Sequence, residues 1–145
     1  MAMMLDRLDI HTEANVEFYE ITAQLEARVA ASGTAEGLCY VFSLHTTAGL
    51  TINENADPDV RRDMIHALDL TVATRDPAYR HAEGNSAAHL KASMMGFNVV
   101  IPVKGGRLVL GTWQGVYLCE FDGPRRRQVL VTVMPVGNGA GSMSR

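Results

Sequence analysis

The chain has 145 residues, 47% of them hydrophobic and 20% charged, and a formal net charge of −3 at pH 7. A chain of that length folds as one domain that hides about 70% of its unfolded surface, and the composition is that of a globular protein rather than a disordered or fibrous one. No apolar run approaches the roughly 20 residues of a bilayer span, the acid-bearing first residues do not read as a signal peptide, and no global basic field is present to gather nucleic acid; a cytoplasmic protein is expected.

In chain order, residues 4–11 alternate imperfectly between apolar and polar and are read as a strand. Residues 22–31 place Leu25 and Val29 at i, i+4 among alanines and stop at Ser32-Gly33, which predicts a short helix with a glycine cap. The run GLCYVFSLH, 37–45, is almost continuously apolar, as in a central strand buried on both faces. TTAGLTINENA reads as a turn. The next helix has a full start signal, with Asp57 as N-cap, Pro58 in the first helical position and Asp59 in the first turn. Its stripe of Val60, Met64, Leu68 and Val72 runs until Asp76-Pro77, and His66 lies off the stripe, on the solvated side.

A helix over 86–95, closed by Gly96, follows the polar stretch RHAEGNSAAHLKASMMG. The last third is strand-like: FNVVIPV, a turn at 104–106, RLVLG, WQGVYLCEFDG and RRRQVLVTVMPV, which predicts a mainly antiparallel meander. Cys39 and Cys119 sit inside apolar runs and are expected to be reduced core residues. Residues 1–136 are expected to form one domain and 137–145 a mobile tail, and the sequence holds no internal repeat. The expected fold is an α+β sandwich: a largely antiparallel, mixed sheet with helices packed on one face.

Three blocks carry residues that are costly to keep for packing alone. In SLHTTAGLTINENADPD, His45 follows a buried strand, with Thr46 beside it and Glu54, Asn55 and Asp57 further on; the plainer explanation is that they satisfy turn backbone. In the second block, Asn85 and His89 share a helix face by their i, i+4 spacing, His81 and Glu83 lie in the loop before it, and the helix head near Ser86 favours anions. His45, His81 and His89 would suit Zn²⁺ or another divalent ion such as Mg²⁺ only if the fold brings the two segments together. In the third block, Trp113-Gln114 is flanked by glycines, and Arg125 and Arg127 would share a side of a strand with Arg126 opposed. An arginine pair grips phosphate; it also discourages aggregation if the strand is an edge. No phosphate loop, dinucleotide fingerprint or nucleophile elbow is present.

Taken together, HTTAGLTINENADPDVRRDM, HAEGNSAAHLKASMMG and GRLVLGTWQGVYLCEFDGPRRR resemble the YjbQ family over residues 20–135, in the same order and with similar gaps. The resemblance implies a compact α+β sandwich assembled as a homotrimer, and a secondary thiamine-phosphate synthase activity. It maps the family's motif onto His45, Thr46, Glu54, Asn55, Asp57, His81, Glu83, Asn85, His89, Trp113, Gln114, Glu120, Arg125 and Arg126. Glu83 lies in a loop shorter than the usual family form. The expected catalytic set is His45, Glu54, Asp57, His81, His89 and Glu120, with His45, His81 and His89 as metal ligands. Thr46, Asn55, Asn85, Ser86, Trp113, Gln114, Arg125 and Arg126 would bind a small phosphorylated metabolite, by an enzyme or by a non-catalytic binding module. No nucleic acid or membrane partner is expected.

Overall fold

The computed structural model describes residues 5–137. Eight strands and three helices follow in the order β1 (Leu5–His11), β2 (Glu17–Glu20), α1 (Thr22–Ser32), β3 (Glu36–Ser43), β4 (Ala48–Glu54), α2 (Pro58–Thr71), α3 (Ser86–Met95), β5 (Asn98–Lys104), β6 (Arg107–Leu108), β7 (Gln114–Glu120) and β8 (Arg126–Pro135). They form two sheets rather than one, a five-stranded sheet in the order β1-β8-β3-β5-β6 and a three-stranded sheet in the order β2-β7-β4. Every pairing is antiparallel. Only β5 and β6 are joined as a hairpin, through Gly105 and Gly106 at positive φ, so the expected meander is replaced by long-range pairing.

The three-stranded sheet is apolar on both faces because it lies between two cores. Val116 and Leu118 of β7 face the large sheet and pack with Ile10, Val41, Ile101 and Val129 and with Leu25 and Val29 of α1. Tyr117 and Cys119 point the other way, where Phe18, Phe121, Ala88 and Ala92 join them beneath α2 and α3. Helices therefore cover the outer face of the small sheet, while α1 closes the space between the sheets. Both cysteines are buried and unpaired, and burial pushes the Cys39 thiol up to about 11 and the Cys119 thiol higher still.

Local signals explain most boundaries. Gly33 ends α1 in the left-handed conformation, and Asp57 caps α2 by accepting from the Asp59 amide at 2.9 Å. Three expectations need correction. Helix α2 stops at Thr71, where Val72 turns extended to bury its side chain, five residues short of Asp76-Pro77. Strand β3 is central but buries only alternate residues; Leu38, Tyr40 and Phe42 on its outer face are half-buried. The stretch read as a turn is strand β4, which a polar, glycine-bearing composition concealed. Its Gly49 leaves room for α3: a Cβ there would stand 2.6 Å from the Gly96 carbonyl oxygen and 2.9 Å from that of Ala92. Most of the tail expected at 137–145 lies outside the described residues.

Candidate functional site

Strand β4 carries the first motif block from one end of the small sheet to the other. Ala48 pairs with Glu120 and Glu54 with Gln114, so the ends are separated by about 20 Å at ~3.4 Å per residue. The motif residues consequently fall into two groups.

At the Ala48 end, the turn after β3 is pinned by buried Ser43, whose hydroxyl donates to the Ala48 carbonyl (2.8 Å) and accepts from the His45 amide (3.3 Å). His45 Nε2 accepts from the Gln128 amide at 2.8 Å. A backbone N–H can only donate, so this ring is held as the Nδ1–H tautomer, with its Nε2 lone pair engaged. Burial, and after it the charge of Arg127, depress its basicity. Thr46 beside it is exposed.

Behind this turn lies a fully buried ion pair. Arg127 donates to Glu120 Oε1 at 2.7 Å, makes a second bond to Glu120 Oε2, and donates to Thr47 Oγ1 at 2.8 Å. Thr12 Oγ1 and the Asp122 amide fill the rest of the carboxylate, at 2.8 and 2.9 Å. Burial alone would raise the Glu120 carboxyl, but the bonds from Arg127, the Asp122 amide and Thr12 together hold it below the usual range. Glu120, expected as a catalytic residue, is 0% exposed with both oxygens taken, so it acts as an internal brace. The arginine arrangement also differs from expectation. Arg125 lies in the bend before β8 rather than on the strand, β8 is an inner strand, and buried Arg127 is the partner of Glu120. Exposed Arg126 reaches toward Asp9 at 3.7 Å.

The head of α3 stands beside the bend. Asn85, its N-cap residue, makes no side-chain cap bond; its Nδ2 donates instead to Asp122 Oδ2 at 2.8 Å, and Arg125 Nη2 approaches the same oxygen at 3.1 Å. With the Asn85 amide nitrogen turned to the carboxylate, its Oδ1 is buried and has no partner among the described residues. Half-buried Ser86 is the first residue of the helix. His81 and His89 meet edge to face, ring centroids 5.3 Å apart, and exposed Glu83 lies 3.4 Å from His81 Nε2.

The metal expectation was for His45, His81 and His89 together. Among the described residues no three His, Cys, Asp or Glu side chains gather where one ion could take them all, and the engaged Nε2 of His45 points to why. His81 and His89 are the pair that the fold brings together.

At the Glu54 end, Asn55 Nδ2 and Thr22 Oγ1 donate to Glu20 Oε2 at 3.0 and 2.9 Å. Tyr117 donates its hydroxyl to the Glu54 carbonyl (2.9 Å), with Arg61 5.4 Å over its ring. Gly115 leaves room here: a Cβ would lie 2.6 Å from Glu20 Oε2, which can swing away, and 2.9 Å from the Asn55 Cβ, which moves only with its backbone. Trp113 does not cover a core edge: it is 62% exposed, while its carbonyl accepts from the Asn55 amide at 2.9 Å. Gln114 Oε1 accepts from the Gly111 amide (2.8 Å), and Asp57 is occupied as the α2 cap.

Sequence reasoning missed Thr12, Glu20 and Asp122, and it read Arg127 as half of an anion-gripping pair rather than as the partner of Glu120. A signal was available for one pair: Glu120 and Arg127 are charges inside or at the mouth of apolar strand runs, where an unpaired charge would not survive.

The family profile described as "UPF0047 protein YjbQ-like" matches residues 6–136. The UPF0047 protein YugU of Bacillus subtilis is 47% identical over 131 residues, covering 90% of this chain and 99% of the relative. The UPF0047 protein MJ1081 of Methanocaldococcus jannaschii is 41% identical, covering 90% and 94%. A crystal structure of a YjbQ/UPF0047 protein from Clostridium acetobutylicum superposes with a TM-score of 0.87 at 47% identity, over 89% of this chain and 99% of the other. A YjbQ-like protein of Sulfolobus solfataricus gives 0.87 at 32% identity, over 92% and 98%. With the fold, the motif blocks and these relatives in agreement over nearly the whole described chain, the protein belongs to the YjbQ-like UPF0047 family.

Proposed function

We propose that the chain is a small-molecule enzyme acting on a phosphorylated metabolite at the face formed by the head of α3 and the bend before β8. One observation carries this reading: Arg125 and Asn85 converge on a single oxygen of Asp122, at 3.1 and 2.8 Å, beside a helix head that no side chain caps. A guanidinium and free helix amides are the groups that hold a phosphate, and Ser86 and Arg126 extend them. The half-exposed His81–His89 pair supplies imidazole groups able to donate or accept a proton. His45, neutral and held through Nε2, orients the turn and offers only its Nδ1–H.

A secondary thiamine-phosphate synthase activity fits this chemistry. The reaction forms a C–N bond between a thiazole phosphate and a pyrimidine methyl group and breaks the C–O bond to diphosphate, which leaves with its electron pair. Arg125 and the α3 amides would take the leaving anion. A Zn²⁺ or Mg²⁺ ion would find two imidazoles at His81 and His89 and would draw further ligands from solvent, substrate or another copy of the chain. Glu54, Asn55, Asp57, Trp113 and Gln114 enter the same pocket only if another copy brings the Glu54 end close, whereas Thr46 stands at the Ala48 end beside His45. The homotrimer is part of this reading, and the apolar outer face of the large sheet, with Tyr40, Phe42, Leu130 and exposed Leu5 and Val100, is the surface that supports it.

The alternative, a non-catalytic binding module, is favoured by one fact: the most buried motif carboxylate, Glu120, is consumed as a brace. Calorimetric titration with inorganic phosphate and diphosphate, beside turnover of the two thiamine precursors and elemental analysis of untagged protein, decides. Saturable diphosphate binding lost in His89→Ala and Arg125→Ala, with turnover, supports the enzyme. Binding without turnover across a panel of phosphorylated substrates supports the module, and no binding by the native protein sinks both.

A further inference from the structure

On the far side of Asn85 and Asp122 a cleft of about 140 Å³ opens between α3, the end of α2 and the loop before β2. That is room for one six-membered ring, since a cavity of ~150 Å³ in another protein accepts benzene. Three residues that line it meet at a single atom: Asp69 Oδ1 accepts from Lys91 Nζ and from Thr74 Oγ1, each at 3.2 Å. Lys91 Nζ also lies 6.0 Å from the centre of the Phe121 ring, another wall of the cleft. The ammonium is thus held between two groups that both line the cleft. Its side chain is 5% exposed, while that of Asp69 is 60% exposed, so the pair is not mutually buried.

The pair is also incomplete. The ammonium makes one hydrogen bond, which leaves two of its three donors without an acceptor among the described residues, and Asp69 Oδ2 accepts from none of them. A lysine kept for a surface ion pair would hold its head in water, and for packing alone methionine would fill the position without the desolvation cost of a charge. Water can serve the open donors and the open oxygen because it both accepts and donates, and a ligand that displaces it must do the same. An anion would accept from Lys91 but stand against Asp69, and a cation would meet the ammonium. A carbonyl would use the donors and leave Asp69 Oδ2 empty. Two hydroxyls on neighbouring carbons do both without adding charge, and they stand about one hydrogen-bond length apart, as Lys91 Nζ and the Asp69 carboxylate do. Ala87 and Ala88 line the same cleft and offer apolar surface to the carbons of a ring.

We propose that this cleft binds a vicinal diol carried on a neutral ring, that of a monosaccharide or a cyclic polyol, with one hydroxyl accepting from Lys91 Nζ and its neighbour donating to Asp69 Oδ2. The proposal goes beyond the phosphate reading and does not depend on it. It is tested by titrating the ¹⁵N-labelled full chain with the vicinal cis-cyclohexanediol, cyclohexanol and cyclohexanecarboxylate, which share a ring and differ in what they offer the pair. The diol is expected to shift the backbone amides of Asp69, Thr74 and Lys91 saturably and to bind roughly tenfold or more tightly than the other two. D-ribose and myo-inositol separate the two sources: saturable binding of either assigns the source, and binding of neither overturns the proposal. In Lys91→Met with a native-like spectrum, diol binding falls by a similar factor. Should that variant fail to fold, nuclear Overhauser effects between the diol and the Phe121 ring in the native protein serve instead, and their absence counts against the site. Equal or tighter binding of cyclohexanol or the carboxylate, shifts that map away from the cleft, or no saturable shift with the diol overturns the proposal. Phosphate titrated separately keeps the two readings apart: diol binding without phosphate binding removes only the earlier one, and phosphate binding without diol binding removes only this one.

Discussion

Two polar clusters lie side by side behind the β3–β4 turn, and they differ in whether the protein completes them. Around Glu120 and Arg127 both carboxylate oxygens and the guanidinium Nε and Nη2 have protein partners, from Thr12, Thr47 and the Asp122 amide as well as from each other. Around Asn85 and His89 the same density of polar residues leaves an acceptor unfilled, a helix head uncapped and two imidazoles against each other at the surface. A completed network fixes the shape of the fold and has nothing left for a ligand; an incomplete one retains the capacity to bind. Both clusters drew the same reading from the sequence, since residue type alone does not reveal which atoms are spent.

Breaking the completed cluster has the largest expected effect. Arg127→Ala leaves the Glu120 carboxylate buried without its cation and should cost about 3–5 kcal/mol, read as a lowered midpoint in urea unfolding. Replacing both with apolar residues of similar volume should recover much of that loss. Gly115→Ala, which forces Glu20 or Asn55 to move, should cost about 1–3 kcal/mol by the same measurement.

Acid sharpens the contrast. The folded state holds His45 below its unfolded value of about 6.5, so the stability it contributes is complete above that pH and is lost as pH falls through the folded value. Glu120, also held low, adds a further loss at lower pH. Thermal stability should therefore fall on acidification from pH 7, and His45→Gln, which keeps an acceptor for the Gln128 amide, should flatten the first part of that fall. A variant with the native pH profile would refute the assigned protonation. The smallest effect on stability is expected for His89→Ala, within about 0.5–1 kcal/mol, because its ring is only half-buried. Its diphosphate binding should nonetheless be lost.

Elements whose ends carry a backbone signal were legible in the sequence. Asp57-Pro58 and the 86–95 span bounded by Asn85 and Gly96 gave helix starts and stops within a residue of those observed, apart from the end of α2. Strand β4 was not legible, because its period-2 pattern is broken by Gly49 and by polar residues that serve the Glu54 end. The split into two sheets was hidden for a different reason: strands of an antiparallel protein do not name their partners, and here nearly all partners are distant in sequence. For the site, the three blocks were visible. That β4 holds their halves about 20 Å apart was not, because it depends on which strand carries them and in which direction.

The position of β8 between β1 and β3 has a consequence for the order of assembly. Strands β3, β5 and β6 can pair as soon as they exist, but β1 has no neighbour in its sheet until residues 126–135 have been made. During synthesis, the earliest strand therefore waits for the latest one, with its unpaired edge open to solvent or to other chains. Arg127 arrives on that same last strand, so Glu120 acquires its counter-charge only at the closing step. Sheet closure and neutralisation of the interior are then one event, and a nascent chain halted before residue 126 should be open to protease along residues 5–11, which become protected only once β8 is made.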